Sequence, residues 1–239
     1  MLNIAHRGFS SEFPENTMLA FEEAMKAGAD GFECDLRITS DGKVVVFHDD
    51  DFKRLCGVSG TVETTTWKDL QKLRVKGKEK IPSLHDLLTN FHNTRINLEL
   101  KKSDRPDALV ELVLREMTKI RPKGEILFTS FSVEIVEILG IMDSKRKLGR
   151  HGFLVETKNI ENLPKTLKTL KPDTWNVPRQ IFNRPWAKRW KKVKTPPIWI
   201  WTLDEAHEWR QALNLELNVE GIITNKPRAL RNFLDLERD

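Results

Sequence analysis

Cysteine is nearly missing. The 239 residues carry two, Cys34 and Cys56, too few for a disulfide framework and at no Cys-x-x-Cys ligand spacing. A reducing compartment suits such a chain, and the cytoplasm is the expected location. No run reaches the roughly 18 apolar residues that cross a bilayer, so no transmembrane segment is expected. The opening Met1-Leu2-Asn3-Ile4-Ala5-His6 offers neither a basic leader nor an apolar stretch, and no secretory signal is visible in it. A low-complexity linker is absent too. With 39% hydrophobic and 31% charged residues, disorder, collagen and coiled coil are excluded. A chain of this length buries roughly 70 to 75% of its unfolded surface, so one domain over residues 1–239 needs no metal or disulfide staple.

Charge of one sign is scarce except in one place. The net charge is only +5, but Lys165 to Lys194 holds ten basic residues against one acid, Asp173. Such a stretch attracts nucleic acid, an anionic membrane or a small anion, whereas a solvated helix face is the simpler reading. Trp186 and Trp190 stand at helical spacing within it and are read as facing the core.

Short β-branched runs alternate with helical segments along the whole chain, the pattern of βαβ units and a parallel sheet. Nine runs read as strands: 3–6, 31–36, 44–48, 96–100, 126–131, 152–155, 174–177, 198–202 and 221–224. Helical periodicity marks 17–27, 108–120, 133–142, 204–217 and 228–236, with Asn16 read as the first N-cap and Gly28 as its stop. Ser83 and Asp86 form a capping box for a further helix. Between the second and third strands only Thr39-Ser40-Asp41-Gly42-Lys43 intervenes, too short for a parallel crossover. Asp-Gly is a hairpin turn, so 33–38 and 43–48 read as antiparallel. Eight parallel strands remain, the number of a (β/α)8 barrel. Residues 50–80 break the alternation and read as a small insertion.

Barrel enzymes carry their chemistry at the C-terminal strand ends. Here those ends are polar: His6-Arg7, Glu33 and Asp35, His48-Asp49, and Glu99-Leu100-Lys101. Glu33 and Asp35 are two apart on a strand, so both point to one face and Cys34 to the other, where it packs. The carboxylates repel unless a divalent cation or salt bridges to Arg7, Arg37 or Lys101 compensate them, and Glu99 offers a third oxygen. A turn centred between Asp41 and Gly42 sets His48 opposite Asp35. His6 and His48 then make an acid and base pair suited to phosphoryl chemistry. Arg7 and Lys101 suit its anion. Trp201 is either a wall for a polyol or a packing residue. His85, His92, His151 and His207 read as surface or packing residues.

These residues resemble the glycerophosphodiester phosphodiesterase family. The similarity runs through His-Arg-Gly at 6–8, Pro-Glu-Asn-Thr at 14–17, Glu-x-Asp at 33–35, His-Asp at 48–49 and Glu-Leu-Lys at 99–101. It continues through Ser-Phe at 130–131, Trp-Thr at 201–202, and Gly-Ile-Ile-Thr at 221–224 followed by Pro227. The resemblance implies a distorted (β/α)8 TIM barrel with a short insertion after the hairpin. It also implies hydrolysis of glycerophosphodiesters, such as glycerophosphocholine or glycerophosphoethanolamine, to glycerol 3-phosphate and an alcohol.

By that resemblance, Glu33, Asp35 and Glu99 hold one divalent cation, Mg2+ or Ca2+. His6 and His48 are the acid and base, Arg7 and Lys101 contact phosphate, and Glu15 and Asn16 lie near the site. The family usually has aspartate where this chain has Asn225, a change expected to bear on metal affinity or on a contact behind the ligands. Leu55 and Cys56 stand where the family often has threonines. A lysophospholipase D, or a non-catalytic module binding phosphodiesters or nucleic acid through the basic stretch, are the other readings. The intact histidines favour a small-molecule enzyme with no nucleic-acid partner.

Overall fold

The computed structural model describes residues 1–157, 163–180 and 195–237. Its strands are β1 (Leu2–His6), β2 (Gly31–Ile38), β3 (Val44–Val46), β4 (Arg95–Leu100), β5 (Ile126–Ser130), β6 (Arg150–Leu154), β7 (Thr174–Pro178), β8 (Ile198–Trp201) and β9 (Val219–Thr224). Each coincides with a run read from the sequence. Eight are parallel, and because β1 pairs with both β2 and β9 they close into a barrel. The helices are α1 (Met18–Lys26), α2 (Lys53–Cys56), α3 (Trp67–Leu70), α4 (Leu84–Asn90), α5 (Pro106–Ile120), α6 (Val133–Met142), α7 (Leu163–Leu170), α8 (Ala206–Leu213) and α9 (Pro227–Leu236).

The extra strand is antiparallel, as the short turn requires, but its register differs from the expected one. Leu36 pairs with Val46, Arg37 with Val45 and Ile38 with Val44. The Thr39 amide donates to the Lys43 carbonyl at 2.9 Å, so the loop has three residues, Ser40-Asp41-Gly42, rather than two. Gly42 takes the left-handed φ of +81° that such a loop demands of its last residue. Phe47, not His48, therefore stands opposite Asp35, whose carbonyl accepts from the Phe47 amide. β1 occupies the first half of β2 and β3 the second, so the hairpin leaves the ring without opening it.

Alternation along β2 separates two environments. Phe32, Cys34 and Leu36 join the apolar cluster between sheet and helices. There Phe32 stacks on Phe21 at 4.3 Å and meets Phe91 edge-on at 5.0 Å. Glu33 and Asp35 have the opposite parity. In register with them on the neighbouring strands stand His6, Asn97 and Glu99.

The first helix is capped by Thr17, whose hydroxyl accepts from the Ala20 amide at 3.2 Å, and not by Asn16. Asn16 lies outside the helix with φ +57° and has a different task. Gly28 ends α1 at φ +83° as read, and Ser83 with Asp86 forms the capping box of α4. In residues 50–81 the helices α2 and α3 surround Phe52, Leu55, Val62, Leu70, Val75 and Ile81, which with Val45 and Phe47 form their own apolar cluster. Residues 181–194, with Trp186, Trp190 and the larger part of the basic stretch, lie outside the described residues.

At the end of the barrel away from the polar strand ends, ions tie four strand beginnings together. Arg150 donates to Glu125 at 2.9 Å and to Glu220 at 3.0 Å, Arg95 to Glu125 at 2.9 Å, and the Trp199 indole to Glu220 at 2.7 Å. Truncating Arg150 leaves Glu125 with Arg95 alone and Glu220 with the Trp199 indole alone, and both carboxylates are only partly exposed. We expect Arg150→Met to lower unfolding free energy in urea by about 1–2 kcal/mol; unchanged stability would mean the network contributes nothing.

Candidate active site

Parallel pairing builds the centre of the site directly. Asp35 on β2 is in register with Glu99 on β4, and His6 on β1 with Glu33 on β2. One oxygen from each of Glu33, Asp35 and Glu99 lies within 4.8 Å of the others, and all three residues are buried. Two of the salt bridges weighed from the sequence form. Lys101 reaches Glu99 at 2.6 Å and Asp35 at 3.3 Å, and Arg7 approaches Asp35 at 3.2 Å. Arg37 does not reach the trio: its guanidinium donates twice to the His48 carbonyl, at 2.8 and 2.9 Å, and pairs with Asp50 at 2.6 Å.

These cations do not satisfy the cluster. Oε1 of Glu33 and Oδ1 of Asp35 are buried without a hydrogen bond. Burial, then Asp35 and Glu99, push Glu33 well above the usual carboxylate range, and burial with Asp35 raises Glu99. Asp35 is held low: burial opposes this, but Lys101, Arg7, His48 and the Asn16 amide outweigh it. Arg7 and Lys101 are themselves raised despite burial, by Asp35 together with Glu33 for the arginine and Glu99 for the lysine. Hard oxygens from three acids, two of which have a buried oxygen without a hydrogen bond, fit an oxygen-ligated divalent cation such as Mg2+ or Ca2+.

The turn after β1 holds the trio from the other side. The Arg7 amide donates to Glu33 Oε2 at 3.0 Å. Arg7 has φ +54° and Gly8 +79°, and a Cβ on Gly8 would lie 2.6 Å from the Ala20 backbone, so only glycine fits against α1. Asn16 Nδ2 donates to Asp35 Oδ2 at 2.8 Å while its Oδ1 accepts from the Asp35 amide at 3.3 Å. Asparagine is among the few residues at ease in that left-handed conformation.

The two histidines have unlike partners. His48 Nδ1 donates to Asp49 at 2.7 Å; Asp49 accepts from Arg54, which also donates to Glu15, and Glu15 accepts from Arg7 at 2.9 Å. Despite burial, Arg54 and His48 hold Asp49 down at about 2. Burial chiefly, with Lys101 and Arg7, lowers His48 against the pull of Asp35 and Asp49. His6 Nδ1 instead meets an amide, Oδ1 of Asn225, at 2.7 Å. Burial, followed by Arg7, lowers His6 from 6.5 to about 4.

Asn225 thus touches His6, Ser10 and Asp204 rather than any of the three acids, so the residue at this position meets a histidine of the site directly. Nothing in the spacing of Asn225 or Arg54 marks their contacts with His6 and Glu15, which join elements distant in sequence. A cavity of about 320 Å³ opens beside the site, lined by His6, Arg7, Glu15, Asp204, Asn225 and Lys226 among others. Trp201 ends β8 edge-on to Phe131 at 5.6 Å, with its indole N–H buried and without an acceptor.

Residues 6–229 match the glycerophosphoryl diester phosphodiesterase family. The chain belongs to that family. A glycerophosphodiester phosphodiesterase of Caldanaerobacter subterraneus subsp. tengcongensis is 28% identical, covering 98% of this chain and 97% of that one. A human lysophospholipase D is 27% identical over 97% of this chain and 85% of its own length. An Oleispira antarctica phosphodiesterase, solved in complex with sn-glycerol 3-phosphate, superposes with TM-score 0.86 and 21% identity over 97% of this chain and 96% of that one. Family membership makes the chain an enzyme of the phosphodiesterase type with the family's barrel. Among the described residues no helix is long and apolar enough to cross a membrane.

The Asn16 contacts yield a test within the family scaffold. Asn16→Gly keeps the left-handed backbone but leaves the Asp35 amide without its acceptor. We expect a loss of about 1–3 kcal/mol in urea unfolding and slower turnover; equal or greater stability would remove the supporting role.

Proposed function

We propose that the chain hydrolyses small glycerophosphodiesters, such as glycerophosphocholine and glycerophosphoethanolamine, to glycerol 3-phosphate and the free alcohol. The observation that carries this is the buried trio with unpartnered oxygens, flanked by histidines whose partners differ. Glu33, Asp35 and Glu99 would hold one divalent cation, which when bound neutralises phosphate charge and acts as a Lewis acid. Arg7 and Lys101 bind the phosphate oxygens, and Glu15 keeps Arg7 aimed at them. Trp201, with an unspent N–H, forms a wall against a hydroxylated substrate.

The unlike partners divide the proton work. His6, faced by a neutral amide and lowered to about 4, stays uncharged and takes the proton of the attacking oxygen. His48, joined to the Asp49 carboxylate, carries the proton given to the leaving alcohol. A cytoplasmic setting is supported by the unpaired thiols of Cys34 and Cys56. The second reading, lysophospholipase D activity, is favoured by the human, rat and mouse relatives of that name.

Turnover of the two glycerophosphodiesters and of a lysophosphatidylcholine, with and without chelator, separates these readings. We expect the water-soluble diesters to be turned over, the lysolipid to lag, and chelation to abolish both. Glu33→Gln should lose metal affinity and at least about 10²-fold in rate. Full activity of that variant in chelator would end the metal assignment, and preference for the lysolipid would install the second reading.

The Asp49 contact adds a pH test. Asp49 raises the His48 pKa, so its replacement lowers it, and the form able to protonate the leaving group is lost sooner as pH rises. Asp49→Asn should shift the alkaline limb of kcat/KM to lower pH while leaving the acid limb in place. A limb that stays fixed or moves upward would take His48 out of the acid role.

A further inference from the structure

Asn225 follows β9, and every polar atom of its side chain is engaged. Its Oδ1 lies 2.7 Å from His6 Nδ1 and 2.8 Å from the Ser10 hydroxyl, and its Nδ2 lies 2.6 Å from Asp204 Oδ2. The backbone amide of Asn225 and the Thr224 hydroxyl donate to the other Asp204 oxygen at 2.8 and 2.9 Å. The Asp204 amide is itself tied to Glu208 at 3.0 Å. Donor and acceptor chemistry makes this chain directional. A carboxylate only accepts, so the amide nitrogen of Asn225 has to face Asp204 and its oxygen has to face His6. An amide oxygen also only accepts, so His6 Nδ1 has to carry a hydrogen. A neutral imidazole has one such hydrogen, which leaves Nε2 bare on the side of the trio, 4.0 Å from Glu33 Oε2.

We propose that Asn225, locked by Asp204, is a positioning residue that fixes His6 as its Nδ1–H tautomer, so that the lone pair of Nε2 faces the reacting group. This rests on the reading of His6 as the base. The proton from the attacking oxygen goes to Nε2, giving an imidazolium whose Nδ1–H stays on the amide, and no proton passes to Asn225 or Asp204. Amide and carboxylate here act as an ordered pair, with the neutral member against the histidine and the charged member behind it.

Exchanging the pair tests the order. In Asn225→Leu the acceptor is gone. In Asn225→Asp alone, a carboxylate faces Asp204 where a donor stood 2.6 Å away, and the two charges repel. In the double variant Asp204→Asn/Asn225→Asp, the new amide at 204 donates to the new carboxylate at 225, which again accepts from His6 Nδ1. Asp204→Asn alone frees the amide at 225 to rotate, and it serves as the test should Asn225→Leu fail to fold.

Two readouts on the full-length Mg2+-supplemented protein decide the matter: the nitrogen-15 signature of the His6 ring, and kcat with KM for glycerophosphocholine. The unmodified protein should show Nδ1 protonated and Nε2 bare. Asn225→Leu and Asn225→Asp should lose that single tautomer or its alignment, with kcat down about 10²-fold and KM little changed. Asp204→Asn should show mixed tautomers and a smaller loss, and the double variant should recover the signature and most of kcat. A bare Nδ1 in the unmodified protein, or Asn225→Leu keeping both signature and kcat, overturns the proposal. Unchanged kcat in His6→Gln, by contrast, overturns the reading of His6 as the base and leaves the tautomer assignment standing.

Discussion

The arrangement turns on one electrostatic constraint: three carboxylates share the mouth of a barrel from which water is largely excluded. Two unit charges 4.8 Å apart, the widest separation in the trio, repel by about 3 kcal/mol at an effective dielectric of about 20. Three such contacts cannot persist ionised without compensation, and the chain supplies only part of it. Lys101 and Arg7 sit against Asp35, and Asn16 adds a neutral donor, which is why Asp35 alone is held low while Glu33 and Glu99 are raised. The shortfall leaves the trio short of positive charge, as a cation site would be. A fold built for stability alone would place apolar side chains there, as the opposite parity of β2 does with Phe32, Cys34 and Leu36.

The same constraint shapes the turn after β1. Arg7 and Asn16 adopt left-handed backbone, and each delivers a group to the trio: the Arg7 amide to Glu33, the Asn16 side chain to Asp35. Asn16 tolerates this conformation, but at a residue such as Arg7 it costs roughly 1–3 kcal/mol and persists only where the surroundings hold it. Here Gly8 docks against Ala20 and fixes the turn on α1. Local strain and buried charge therefore support one another.

Strand positions were legible in the sequence because period-two patterning and β-branched residues report directly on which face is buried. The trio was legible for the same reason, since Glu33 and Asp35 share a parity and Glu99 ends a strand. The hairpin register was not. Whether Ser40-Asp41-Gly42 closes with two or three residues depends on which backbone groups pair, and a shift of one residue moves Phe47 into the place expected for His48. The Asn16 assignment failed because Asn16 and Thr17 are both good caps, and only tertiary contact with Asp35 decides between them. Contacts such as His6 with Asn225 or Arg54 with Glu15 join residues 219 and 39 positions apart, where no local pattern reaches.

His48 is held differently from the other site residues. β3 ends at Val46, and beyond it the chain is kept in place by Arg37 gripping the His48 carbonyl and by Phe47 and Phe52 packed in the cluster of residues 50–81. The trio belongs to the barrel, but His48 belongs to a satellite with its own small core. Cooperative units of this kind can open separately from the rest of a domain. A sub-global opening of that satellite would withdraw the proton donor and leave the cation site intact. On the proposed roles, catalytic competence and cation binding would then have separate thermal limits, and amide exchange in residues 50–81 would measure the lower one.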